Sequence, residues 1–161
     1  TINIWGRDSD KSKAVQKDLS DLEVELVIHK DLATLVSEAR LIITTTSSKK
    51  AIIQSDWVQP GTHITAVGSD TPEKCELDVN ILARADIVVA DSITQNELRG
   101  EVHQALKSGL IEVSSLIEIG QIFEGSAQGR SHYDQITVAD LTGVAVQDLV
   151  IAEAVYKAAI S

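Results

Sequence analysis

Five short stretches of this sequence hold side chains that could engage a small molecule: Gly6-Arg7-Asp8, Thr44-Thr45-Thr46-Ser47, Gly68-Ser69-Asp70, Asp91-Ser92 and Asp140-Leu141-Thr142-Gly143. They are rich in glycine, aspartate and small hydroxylated residues. Such residues have two readings. They favour turns in their own right, and they also line ligand crevices, where small side chains leave room. Taken alone, Asp70 is an Asx turn ahead of Pro72 as readily as it is a functional carboxylate. Other chemistry has less support. Cys75 falls in a segment that reads as a loop, with no histidine partner indicated, so nucleophilic catalysis is not expected of it. His29, His63, His103 and His132 lack metal-ligand spacing and there is no second cysteine, so no metal site is expected. His63 lies inside a strand pattern and reads as a packing residue.

The elements that must position these stretches alternate along the chain. Short apolar runs predict strands at 2–5, 24–28, 41–45, 62–67, 86–90 and 135–139. Helical segments are expected at 9–19, from the cap Asp31 through Ala39, and at 79–84, 96–107, 116–123 and 144–159. Runs such as Leu-Ile-Ile-Thr-Thr and Asp-Ile-Val-Val-Ala are apolar on both faces, the pattern of parallel strands covered on both sides. The alternation therefore predicts an α/β fold with a doubly wound, mostly parallel sheet. Right-handed crossovers put the carboxyl ends of such strands on one edge, where ligands bind. The five stretches follow strand ends and would gather there.

Composition limits the partners. The 161 residues suit one domain, and 43% apolar content supports a packed core. Lysine and arginine number 14 against 24 acidic residues, a net charge of −10 that argues against nucleic acid and anionic membranes. No apolar run reaches the roughly 18 residues of a membrane span, and no signal-peptide pattern is present. One cysteine precludes an intrachain disulfide and fits a reducing compartment; a cytoplasmic location is the plain expectation. The chain has no methionine and opens at Thr1 inside an apolar run, so a processed, trimmed or partial chain is expected. It also has no G-x-G-x-x-G, and Gly125 and Gly129 have the wrong spacing for one. Either no dinucleotide binds, or that βα unit lies upstream of Thr1.

Residues 57–78 read W-x-x-P-G-T-H-I-x-A-V-G-x-D-x-P-x-K-x-E-L-D. Beyond them stand Gly100-Glu101-Val102, Gly125, Gly129-Arg130, Ile136-Thr137-Val138 and Thr142-Gly143-Val144-Ala145-Val146-Gln147-Asp148. Together these resemble the ornithine cyclodeaminase/mu-crystallin family, in one register from Thr1 to the C-terminus. The resemblance implies a Rossmann-type NAD(P)-binding domain, incomplete at its N-terminus, with residues 1–161 beginning at its second strand. It implies that the first βα unit and a substrate-binding and dimerisation domain lie outside the chain. The intact protein would be a homodimer, and this chain alone would bind cofactor weakly and be inactive.

The resemblance also assigns roles. Asp70 matches the acid/base of the enzymatic members, where hydride transfer at an amine carbon makes or consumes an iminium and each step needs a proton shuttle. The family usually has Gly after the proline, where this chain has Glu73. Gly6, followed by Arg7 and Asp8, takes the place where NAD-specific domains carry an acidic residue. Arg7 could instead grip a 2′-phosphate, which favours NADP(H), with NAD(H) as the alternative. Thr45, Thr46 and Ser47 would pass under the ribose and pyrophosphate. Val67, Gly68 and Ser69 would let the nicotinamide ribose approach. Thr142, Gly143 and Val144 would lie beside the nicotinamide, opening the last helix with free N–H groups. Lys74 and Glu76 are expected to be structural, and Asp78 to cap a helix. The implied activity is that of an oxidoreductase or cyclodeaminase on a small α-amino acid or cyclic imine. The alternative is a mu-crystallin-like NADPH-binding protein without turnover, from which the presence of Asp70 discriminates.

Overall fold

The computed structural model describes residues 1–160. In chain order the elements are β1 (Ile2–Ile4), α1 (Ser9–Asp18), β2 (Leu26–Ile28), α2 (Leu32–Glu38), β3 (Leu41–Thr44), β4 (Lys49–Ile53), β5 (His63–Ala66) and β6 (Cys75–Leu77). They continue with α3 (Val79–Arg84), β7 (Ile87–Ala90), α4 (Ile93–Asn96), α5 (Gly100–Lys107), β8 (Leu116–Glu118), α6 (Ile119–Phe123), β9 (Thr137–Asp140) and α7 (Ala145–Ile160). Every strand pair among the described residues is parallel. The central sheet has the order β3-β5-β9-β7-β8, while β1-β2 and β4-β6 form two separate pairs. The parallel α/β architecture expected from the alternation is present.

The core lies on one face of the central sheet. Ile64, Ala66, Val88 and Val138 pack there with Leu77, Ile81, Leu82 and Val102. Ile64 and Leu77 are fully buried, each worth about 1.5–3 kcal/mol. Polar side chains fix the helix starts. Asp8, Asp31 and Asp78 each accept a backbone N–H in the first turn that follows, as expected for Asp31 and Asp78.

Several expectations need correction. Residues 41–45 are expected to be covered on both faces, but Leu41 and Ile43 are 63% and 62% exposed, because the face of β3 that carries them is left uncovered by the described residues. Residues 116–123 do not form one helix: Leu116–Glu118 is a strand beside β7, and the helix starts only at Ile119. The helix expected at 96–107 is broken, since Arg99 is extended and Gly100 has φ +94°. A Cβ on Gly100 would fall on the Asp140 carboxylate. Strands β4 and β6 were not foreseen, and Cys75 opens β6 rather than sitting in a loop. Helix α7 has no buried residue; Leu149 and Ile160 are each 67% exposed. None of the helices among the described residues is long and apolar enough to cross a membrane.

Candidate functional site

The register of the central sheet lines up its carboxyl ends. Thr44 lies opposite Ala66, Ala66 opposite Asp140, Asp140 opposite Ala90 and Ala90 opposite Glu118. Four of the five stretches follow directly from this row, so Thr45-Thr46-Ser47, Val67 to Asp70, Asp91-Ser92 and Leu141 to Val144 share one edge. The fifth, Gly6-Arg7-Asp8, follows β1 in its own strand pair. There the Asp8 carboxylate accepts from the Asp10 and Lys11 N–H groups as the cap of α1. Its oxygen is thus engaged within the protein. Arg7 is exposed and makes no ion pair among the described residues, while Asp10 pairs with Lys13.

The loop residues divide into those turned outward and those used internally. Thr45, Ser47, Val67 and Gly143 are exposed. Thr46 is half-buried, and its hydroxyl accepts from the Ser48 N–H at 3.3 Å. Ser69 is buried, and its hydroxyl donates to the Lys74 carbonyl at 2.7 Å, which closes the 69–74 loop. The Gly68 N–H donates to Glu76 at 2.9 Å. A Cβ at Gly68 would fall on the Thr46 backbone and the Glu76 carboxylate, so the protein itself fills the space this glycine leaves. The free N–H groups expected at 142–144 are likewise partly used: Gly143 N–H donates to Asp91 Oδ2 at 2.8 Å. Gln95 reaches the Thr142 hydroxyl at 2.6 Å and the Gly143 carbonyl at 2.5 Å. Asp91 and Gln95 therefore fix the turn into α7. Val144 is half-buried just before that helix.

Asp70 stands at the tip of the loop after β5, with its side chain 52% exposed. Lys74 Nζ donates to Asp70 Oδ1 at 2.5 Å, and this hydrogen bond holds the carboxyl below the usual aspartate range. Asp70 is thus a carboxylate near neutral pH. Lys74, expected to be structural, is its direct partner.

Beneath the loops lies a set of buried acids, of which Asp140 belongs to the expected strand-end stretches while Glu76 and Glu101 do not. Glu76 is fully buried and accepts from the Thr44 hydroxyl at 2.7 Å and from the Thr46 and Gly68 N–H groups. Glu101 accepts from the Glu76 and Leu77 N–H groups at 2.7 and 3.1 Å. Burial pushes its carboxyl up to about 7. Asp140 accepts from the Val102 N–H at 2.8 Å, and burial raises it as well. The one sequence signal for Glu101 is its place in the Gly100-Glu101-Val102 stretch; in the structure it shares a helix face with Ala105, four residues on, which is fully buried. Cys75 is half-buried and its thiol is pushed up to about 12 by burial and by Glu101, so it is inert. His63 sits at the amino end of β5, bonded to Thr137 and Thr65, in keeping with a packing role.

A model of the ornithine cyclodeaminase/mu-crystallin family matches residues 1–161. This chain belongs to that family. It is 41% identical over 159 residues to an uncharacterized cyclodeaminase of Sinorhizobium fredii, covering 97% of this chain and 48% of that protein. Its fold superposes on an archaeal alanine dehydrogenase dimer with bound NAD, with TM-score 0.90 and 33% identity, covering 98% of this chain and 49% of the other. It also superposes on the iminosuccinate reductase of Paracoccus denitrificans in complex with NAD+, with TM-score 0.89 and 32% identity, covering 98% and 48%. The chain spans about half the length of the family members it matches.

Proposed function

We propose that this chain is the NAD(P)-binding portion of an oxidoreductase or cyclodeaminase acting on a small α-amino acid or cyclic imine, with Asp70 as acid/base. The observation that carries the proposal is Asp70 itself: an exposed carboxylate, kept ionised by Lys74, on the edge where the strand ends align. The residues on that edge suit a nicotinamide dinucleotide. Thr45 and Ser47 present hydroxyls, Gly143 presents backbone, and Asp91 and Gln95 keep that backbone in place. The cofactor supplies hydride transfer when bound. Asp70 takes a proton from the amine or water when the amine carbon is oxidised, and returns it in the reverse direction. Arg7, exposed after β1 and in no ion pair among the described residues, favours NADP(H) over NAD(H) by offering two donors to a 2′-phosphate.

The domain reading has its own support. Strands β1 and β3 are each bonded along one edge only. One parallel strand between them, ending in a glycine-rich turn, would join the two sheets and supply the pyrophosphate cradle. Helix α7 is exposed and carries apolar residues all round, interspersed with Gln147, Asp148, Glu153 and Lys157, a pattern that belongs inside a larger assembly. We assign it, with the outer face of β3, to contact with the rest of a longer, dimeric protein.

The test is Asp70→Asn in the intact protein, screened with amino acids plus NAD(P)+ and with imines plus NAD(P)H. Turnover should vanish while cofactor binding is retained. Surviving turnover would remove Asp70 as acid/base. If the unsubstituted protein bound NADPH tightly but turned over nothing, the mu-crystallin-like reading would replace this one. NADH bound at least as tightly as NADPH would overturn the role given to Arg7.

A further inference from the structure

We infer that Glu76 is a positioning residue for the nicotinamide end of the site, its buried carboxylate setting the shape of the two loops that flank it. This rests on the cofactor reading above. Glu76 comes from β6, which pairs with β4 and is not part of the central sheet. Its carboxylate nevertheless reaches the ends of β3 and β5, where it binds the Thr44 hydroxyl, the Thr46 N–H and the Gly68 N–H. One acid thus ties together two loops that no strand ladder joins beyond Thr44 and Ala66. The acid is in turn held from behind. Glu101, at the start of α5, takes the backbone N–H of Glu76 at 2.7 Å and that of Leu77 at 3.1 Å.

The chemistry of the acceptor favours this role. No lysine or arginine pairs with Glu76 among the described residues. A buried carboxylate is costly unless donors satisfy it, and apolar replacements of buried charges are often neutral or stabilising. An apolar side chain here would fill the volume but leave two loop N–H groups without an acceptor. What the carboxylate adds over such a residue is loop geometry. Gly68 shows how close the fit is, since any Cβ there would collide with Thr46 and with Glu76. The 69–74 segment, with Asp70 at its tip, departs from this clamped point.

The test uses the intact protein of which this chain is the proposed NAD(P)-binding portion, isotope-labelled for nuclear magnetic resonance, with reduced nicotinamide mononucleotide as the probe. Glu76→Gln keeps the size and removes the charge. The Thr46 and Gly68 amide protons should shift upfield and exchange faster, while Val138, central in the sheet, stays unchanged. Affinity for the probe should fall about tenfold as the binding-competent loop shape becomes a minority. Unchanged loop amides, or an unchanged affinity, would overturn the inference. An intact protein that gives no response to the probe before substitution would overturn the cofactor reading, and the inference with it; a response undiminished by Glu76→Gln overturns the inference alone. Should Glu76→Gln fail to fold, Thr44→Val removes only the hydroxyl donor. It should move the same two amides and weaken probe binding to a smaller extent, and no change in either would count against the clamp.

Discussion

Replacing Glu101 with glutamine probes the buried acids beneath the site through the pH dependence of stability. Glu101 is 1% exposed and its carboxylate meets N–H, thiol and Ser69 hydroxyl donors, with no cation paired to it among the described residues. Burial outweighs those hydrogen bonds and lifts its carboxyl from an ordinary 4.5 to about 7. The folded value lies above the unfolded one. The contribution to stability is therefore complete below pH 4.5 and lost as pH rises through about 7. At ~1.4 kcal/mol per tenfold change in proton affinity, this amounts to about 3 kcal/mol between pH 4.5 and 8. In a chain of this size that is roughly 6–12 °C in melting temperature. Asp140 is raised too, with Glu101 among the causes, so the substitution also lowers Asp140 and flattens the profile further. Asp31, Asp70 and Glu73 are shifted the other way, and their contributions disappear only as pH falls through more acidic values. Glutamine would set an amide group against the Leu77 N–H, a pH-independent cost of about 1–3 kcal/mol. Urea denaturation followed by circular dichroism from pH 4.5 to 8 measures both effects. The variant should be less stable at the acid end, with the gap closing or reversing by pH 8. Parallel profiles for the two proteins would refute the assignment of a raised carboxyl to Glu101.

Two other substitutions test neighbouring parts of the site. Lys74→Met removes the ammonium that holds Asp70 low, so the acidic limb of kcat/KM in the intact protein should move to higher pH; an unmoved limb would show that Lys74 does not set the ionisation of Asp70. Gly100→Ala forces a left-handed conformation on a residue whose Cβ meets Asp140, and should cost about 2–4 kcal/mol in urea denaturation, whereas a loss near zero would contradict the geometry at the start of α5.

The parts of the fold that were legible in the sequence were those decided by local chemistry. Apolar runs marked the central strands β3, β5, β7 and β9, and Asp31 and Asp78 showed themselves as caps because a cap's partner lies two or three residues away. Features decided at a distance were not legible. The break at Gly100 depends on Asp140, which binds Val102 from 38 residues further on. Glu76 reads as structural, but what it holds is not legible until Thr44, 32 residues earlier, is seen to face it. Strand β6 is three residues long with a glutamate at its centre, and β4 begins with two lysines, so neither shows the apolar pattern of a buried strand. Residues 116–123 are apolar apart from Glu118, Gly120 and Gln121, without a break to mark two elements, and only pairing with β7 makes the first three a strand.

The buried acids also change what the overall charge means for the site. A net charge of −10 suggests an edge that repels phosphates. Yet the acids at the strand ends spend their oxygens on backbone N–H groups. Asp140 serves the start of α5, whose own cap residue, Arg99, offers no side-chain acceptor. Glu118 does the same for α4, accepting from Ile93, where Ser92 offers none. Asp91 holds Gly143 at the entrance to α7. Among these, Glu101 and Asp140 are pushed by burial toward their neutral forms. The charge that reaches solvent at this edge is therefore smaller than the count of carboxyl groups. Lys74 offsets that of Asp70. An acidic chain can in this way present an edge open to an anionic dinucleotide, provided the carboxylates lie beneath the loops and not on them. That arrangement places the burden of holding the loops on Glu76, Glu101, Asp91 and Asp140, and leaves Thr45, Ser47 and Asp70 exposed at the edge.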